Sequence, residues 1–134
     1  CKQSIVWDNA VTRFALTIIC LTASLIFSAP SRAETRLVMF EASGCYWCDK
    51  WRREIGPIYG KTAEGKHAPL TVIDVHAALP ADIALERRAV YTPTFVLLEN
   101  GVEVNRIEGY PGEAFFWGLL ERMLADLDKA LVKS

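Results

Sequence analysis

The feature that most constrains this chain is four residues long. Cys45-Tyr46-Trp47-Cys48 stands between a short apolar run, Arg36–Glu41 (RLVMFE), and a segment whose apolar residues recur with helical period. Ala42-Ser43-Gly44 breaks the run just ahead of it. The run reads as a buried strand and the segment from about Tyr46 as a helix, with Trp47, Trp51, Ile55 and Ile58 or Tyr59 on one face and Asp49, Lys50, Arg53 and Glu54 mostly off it. Gly56-Pro57 should kink or end that helix. The cysteine pair therefore sits where a strand hands over to a helix.

The remaining elements follow from the same reasoning. A polar stretch, Gly60–Pro69, leads to a second apolar run, Leu70–Val75, read as a buried strand. Pro80–Ala89 reads as a short helix, with Pro80 near its start and Arg87 and Arg88 in its last turn. Thr94–Glu99 is a third strand, Asn100-Gly101 a two-residue hairpin turn, and Val102–Ile107 an antiparallel fourth strand. After a break at Gly109–Gly112, Glu113–Leu131 is an amphipathic helix. Phe115, Leu119, Met123, Leu127 and Leu131 recur every four residues in it, with Phe116, Leu120 and Leu124 beside them. A crossover joins the first two strands, so they should run parallel, and a hairpin joins the last two. The expected fold is α/β: a central four-stranded mixed sheet with helices on both faces.

The first part of the chain is chemically different. No charged residue occurs from Phe14 to Ser31, and the strongly apolar part, Phe14–Phe27, is short for a bilayer span but suits a signal-peptide core. Lys2 and Arg13 precede it, and Pro30, Ser31 and Ala33 follow as a small-x-small cleavage site. Residues 1–33 are read as an export signal or, alternatively, a membrane anchor on the outer face of an inner membrane. Residues 34–134 are read as the folded domain. That domain carries 12 Lys and Arg against 15 Asp and Glu, a net charge of −3, which gives no basic footprint for nucleic acid. It keeps two cysteines, Cys45 and Cys48. An exported protein occupies a compartment where disulfides persist. A disulfide closing so small a loop stabilises little, so the value of the pair is chemical rather than structural.

Cysteines at i and i+3 near a helix start face the same side, close enough to bond. The helix N-terminus offers unsatisfied N–H groups and partial positive charge, both of which favour a thiolate, the attacking species in thiol–disulfide exchange. Cys45, at the helix mouth beside Gly44, is the candidate nucleophile. Cys48, one turn inside, is the candidate resolving thiol. A zinc site would need two further ligands, and the spacing to His67 and His76 fits no common zinc pattern, so no metal or other cofactor is assigned. Tyr46 is expected at the rim of the site. Trp47 is either a substrate platform or the first rung of the helix core. Trp51 and Trp117 are core candidates.

The segments LVMFEASGCYWC, TPTFVLLENG and Arg106–Tyr110 resemble thioredoxin-fold proteins along nearly the whole of residues 34–134. The resemblance implies a cis proline at Pro93 beside the cysteine pair, with the backbone of Thr92 pairing with a substrate peptide and Gly109 allowing its close approach. Two departures stand out. Met39 occupies the position of thioredoxin's buried acid, which leaves Glu41 as a candidate base or a solvated strand end. Tyr46-Trp47 replaces the usual dipeptide, so the direction of electron flow stays open. The leader and the G-C-x-W-C motif resemble the periplasmic thioredoxins of sulfur-oxidation clusters, the SoxS type. That resemblance implies a monomeric periplasmic reductase of a partner-protein cysteine, with a sulfur-oxidation carrier protein as the candidate partner, re-reduced by a membrane electron donor. The alternatives are a disulfide oxidant or isomerase, a non-catalytic redox sensor, or a copper-binding module.

Overall fold

The structure, a computed structural model, describes residues 33–134. Apart from Ala33, the expected export signal lies outside the described residues. The elements run β1 (Thr35–Glu41), α1 (Tyr46–Glu54), α2 (Gly56–Tyr59), α3 (Ala63–His67), β2 (Leu70–Asp74), β3 (Thr94–Glu99), β4 (Val102–Glu108) and α4 (Glu113–Lys133). The sheet order is β2-β1-β3-β4. β1 and β2 are parallel, and the other two pairings are antiparallel, which is the expected mixed sheet.

Strand position explains strand composition. β3 is central and covered on both faces, so all six of its residues are buried and TFVLLE carries no polar alternation. β2 is an edge strand. It is only half-buried, with Val72 exposed, which corrects the expectation of a buried strand. At the hairpin, Asn100 and Gly101 both adopt positive φ (52° and 80°), as the turn between right-twisted strands requires. A Cβ on Gly101 would also stand 2.1 Å from the carbonyl oxygen of Asp82. Gly101→Ala should therefore destabilise the domain by about 1–3 kcal/mol. Urea unfolding would register this as a lower midpoint at unchanged slope.

Helix packing decides the two faces. Leu37 and Met39 of β1, with Phe95 and Leu97 of β3, pack against Trp51 and Ile55 of α1 and against Phe116, Leu120 and Leu124 of α4. The opposite face, built on Val38, Phe40, Val96 and Leu98, is covered by Ile83 with Leu85 and Ala89 from the segment between β2 and β3. Among the described residues that segment forms no helix, so helices cover one face of the sheet and irregular chain covers the other. The helix expected over Pro80–Ala89 fails to form because its backbone groups are used elsewhere. Ala84 N–H donates to Gly101 O (2.8 Å) and Glu103 N–H donates to Ala84 O (2.9 Å), a parallel bridge that closes the free edge of β4. Arg36 further pins Asp82 (2.5 Å).

α4 also differs from its expected orientation. Phe116, Leu120, Met123, Leu124 and Leu127 are buried, whereas Phe115, Leu119 and Leu131 are exposed. The helix carries two apolar stripes. Phe116 selects between them by wedging edge-on against Trp51 and Phe95, at centroid distances of 5.7 and 4.9 Å.

Candidate active site

The site is built at the end of the sheet where β1 stops. Gly44 (φ 74°) turns the chain, and Cys45, in extended conformation, becomes the N-cap of α1. Its Sγ accepts from Cys48 N–H (3.1 Å), and its carbonyl accepts from Asp49 N–H (3.1 Å). A sulfur thus takes the place usually filled by a serine or aspartate oxygen, and receives an N–H that the helix cannot satisfy internally. Cys45 and Cys48 are joined as a disulfide, with Cα atoms 5.3 Å apart. Cys45 is partly exposed and Cys48 is fully buried, in the cluster that contains Trp51 and Met39. The asymmetry expected of an attacking and a shielded thiol is therefore present in the geometry.

Strand register brings the remaining candidates to the same end. Phe40 pairs with Thr94, and Thr94 with Glu108, so the chain before Thr94 and the chain after Glu108 both flank the exit from β1. The Thr92–Pro93 bond is cis. Pro93 is buried and its carbonyl accepts from Gly109 N–H (2.7 Å), where Gly109 has φ 85°. Thr92, Pro93 and Gly109 thus lie at the end of the sheet where β1 stops and Gly44 turns the chain into α1. Tyr46 and Trp47 are both exposed, with rings edge-to-face at 5.2 Å. Trp47 is a rim residue rather than a core rung. Ile58 is also exposed, and Tyr59 takes its place in the core. Trp51 is in the core, while Trp117 is half-buried and stacks on Tyr59.

Glu41 is neither a free base nor a solvated strand end. It is ion-paired with Arg52 of α1, which also reaches Asp49 (3.2 Å). Val90 and Tyr91, exposed just ahead of the cis bond, escaped the sequence reading; the signal was an apolar pair immediately before Thr-Pro. His67 lies on α3 near Asp128 (3.5 Å), and His76 is an exposed residue beyond β2. Among the described residues no group of three His, Cys, Asp or Glu side chains is arranged to hold a metal ion.

A second polar contact ties α1 to the chain leaving β4. Tyr110 Oη donates to Glu54 Oε2 (2.6 Å), and Lys50 donates to the other oxygen. Lys50 first, and Tyr110 second, hold the Glu54 carboxyl below its ordinary value; burial, then Glu54, pushes the Tyr110 hydroxyl up. A carboxylate depressed on folding contributes stability above its unfolded value, and that contribution is lost as pH falls through the folded value. Tyr110→Phe should therefore raise the Glu54 midpoint towards the ordinary range of about 4.3. It should also leave stability less sensitive to acid below that pH. A carboxyl NMR titration of both forms would measure the shift.

A family model described as a thioredoxin-like domain matches residues 26–124. The chain belongs to that family. Among solved structures, it is similar to the periplasmic thioredoxin SoxS from Paracoccus pantotrophus in its reduced form: 47% identity, 69% of this chain and 97% of that one covered, TM-score 0.68. It is also similar to the Malassezia sympodialis thioredoxin Mala s 13, at 22% identity over 67% of this chain and 75% of that one, TM-score 0.46. A search of curated proteins returned no significant match. The thioredoxin-like fold and the Cys45–Cys48 pair together place the chain among proteins built for thiol–disulfide exchange. No helix among the described residues is long and apolar enough to cross a membrane.

Proposed function

We propose that this chain is an exported, periplasmic reductase of cysteines on a partner protein. One observation carries the reading: an accessible Cys45 caps α1 directly over a buried Cys48. In the reduced protein, the Cys45 thiolate attacks one sulfur of the partner's disulfide. The partner's S–S bond breaks, its second sulfur leaves as a thiolate, and a Cys45–partner disulfide forms. Cys48 then loses its proton and attacks Cys45 Sγ, releasing the partner's first sulfur. The partner gains two electrons, and the protein is left with the Cys45–Cys48 bond seen here. A membrane electron donor must then return two electrons to the pair.

Gly44, Tyr46 and Trp47 form one side of the docking surface and Thr92, Pro93 and Gly109 the other, with Thr92 offering backbone groups to an extended peptide. The 47% identity to a periplasmic thioredoxin supports the compartment, and the SoxS-type resemblance implies the reductase direction. It makes the cysteine of a sulfur-oxidation carrier protein the first partner to test. Insulin reduction, together with the equilibrium potential of the pair, tests the direction. We expect turnover and a value below about −200 mV; a value near −120 mV would mark a disulfide oxidant instead.

A further inference from the structure

The segment between β2 and β3 carries no helix, yet it delivers Thr92 and Pro93 to the disulfide end of the sheet. A buried charge pair beneath it fixes its course. Glu103 and Arg106 of β4 have side chains only 2% and 7% exposed. Two parallel bonds join them, Nε to Oε1 (2.5 Å) and Nη2 to Oε2 (2.7 Å). Each also reaches across to the backbone of the segment. Glu86 N–H donates to Glu103 Oε2 (2.8 Å), and Arg106 Nη2 donates to Arg87 O (2.8 Å). The Arg87 side chain returns to β4 through Glu108 (2.8 Å).

A buried ion pair adds little stability over apolar residues of the same shape, so its worth lies in the geometry it imposes. Here it imposes the position of residues 86 and 87. The far end of the stretch is fixed separately, by Gly109 N–H on Pro93 O (2.7 Å) and by Thr94 Oγ1 on Tyr91 O (2.7 Å). Val90 and Tyr91 are held between the two anchorages, 76% and 65% exposed, beside the cis bond. Burial pushes the Glu103 carboxyl up, but its bonds to Arg106 and to Glu86 N–H outweigh this and leave it below its ordinary value, a carboxylate at neutral pH.

We propose that Glu103 and Arg106 are positioning residues that hold the Val90–Pro93 loop in the shape that receives a partner peptide, so that they set affinity for protein disulfides and leave the sulfur chemistry alone. This rests on the oxidoreductase reading above. Two variants test it. Glu103→Gln keeps the shape and removes the charge, and Arg106→Lys keeps the charge and loses the fork. With insulin as substrate, KM should rise roughly tenfold in each, as expected for loss of a charge-assisted hydrogen bond, with kcat nearly unchanged. Reaction of the reduced pair with a small aromatic disulfide should be unchanged. Amide exchange at Gly109, whose N–H donates to Pro93 O, should accelerate, while that of Cys48 stays as in the parent. An unchanged KM in folded variants, or an equal loss of rate with both substrates, would overturn the proposal. If the parent protein reduces neither substrate, the oxidoreductase reading falls instead. Exchange at Gly109 then decides by itself whether the charge pair holds the loop.

Discussion

Incubated with its oxidised partner, the Cys48→Ser protein should accumulate a mixed disulfide through Cys45, and the Cys45→Ser protein should accumulate none. Turnover should fall by on the order of 10³ or more in both, because the two sulfurs act as a unit and neither alone completes a cycle. The geometry makes the experiment unusually clean at Cys45. Its sulfur accepts the N-terminal N–H of α1, and serine is among the best residues for that task. Cys45→Ser should thus leave the start of the helix intact, so that lost activity reports on the sulfur and not on the fold. Position 48 is less forgiving. It is fully buried, and a hydroxyl there without a partner costs about 1–3 kcal/mol. Cys48→Ala is the control: it too should trap the adduct, and it avoids burying a hydroxyl. An adduct carried by Cys48 in the Cys45→Ser protein would reverse the assigned roles. Absence of any adduct in all three variants, with each folded, would remove the reductase reading.

The same contrast between local and distant partners decides what the sequence could reveal. The cysteine pair was legible because its chemistry needs only a strand end and a helix start, both written within a few residues of it. The β3–β4 hairpin was legible because Asn100-Gly101 carries its own backbone preference. The segment around Ala84 was not, because what decides its conformation is β4. Its N–H and C=O groups pair with Gly101 and Glu103, and nothing near Ala84 in sequence announces that. Arg87 read as part of a helix's last turn, whereas no helix forms there and its carbonyl accepts from the buried Arg106. Glu41 was ambiguous for the same reason, since its partner Arg52 belongs to the next element. In α4 periodicity established a helix but offered two apolar stripes, and the shape of the Trp51–Phe95 surface chose between them. The Thr92–Pro93 peptide came from resemblance alone; read by itself, Thr-Pro before a strand is an ordinary turn.

Trp51→Ala should cost about 3–5 kcal/mol, the range for emptying a large aromatic site in a packed core. Against a domain stability of about 5–15 kcal/mol this is severe. It corresponds to a fall in Tm of roughly 15–30 °C for about a hundred residues. Trp51 is 1% exposed and lies within aromatic contact of Tyr59, Phe95 and Phe116, so it joins α1 and α2 to the sheet and to α4 at a single point. Collapse of those neighbours into the space would have to move three elements at once, which places the cost towards the upper end. Trp51→Phe should behave differently. It keeps an aromatic ring and removes an indole N–H that is buried without a hydrogen-bond partner, so the lost packing is offset by relief of an unsatisfied donor. A net cost near 1 kcal/mol is expected, and calorimetry on both variants would separate the two terms. The chemistry should follow the packing. Cys48 shares the cluster with Trp51, so in Trp51→Ala the reduced Cys48 thiol should be alkylated faster, while Cys45 should react as before. A Tm loss under about 5 °C in Trp51→Ala, or protection of Cys48 unchanged, would show that the shield over the resolving sulfur is built from something other than this ring.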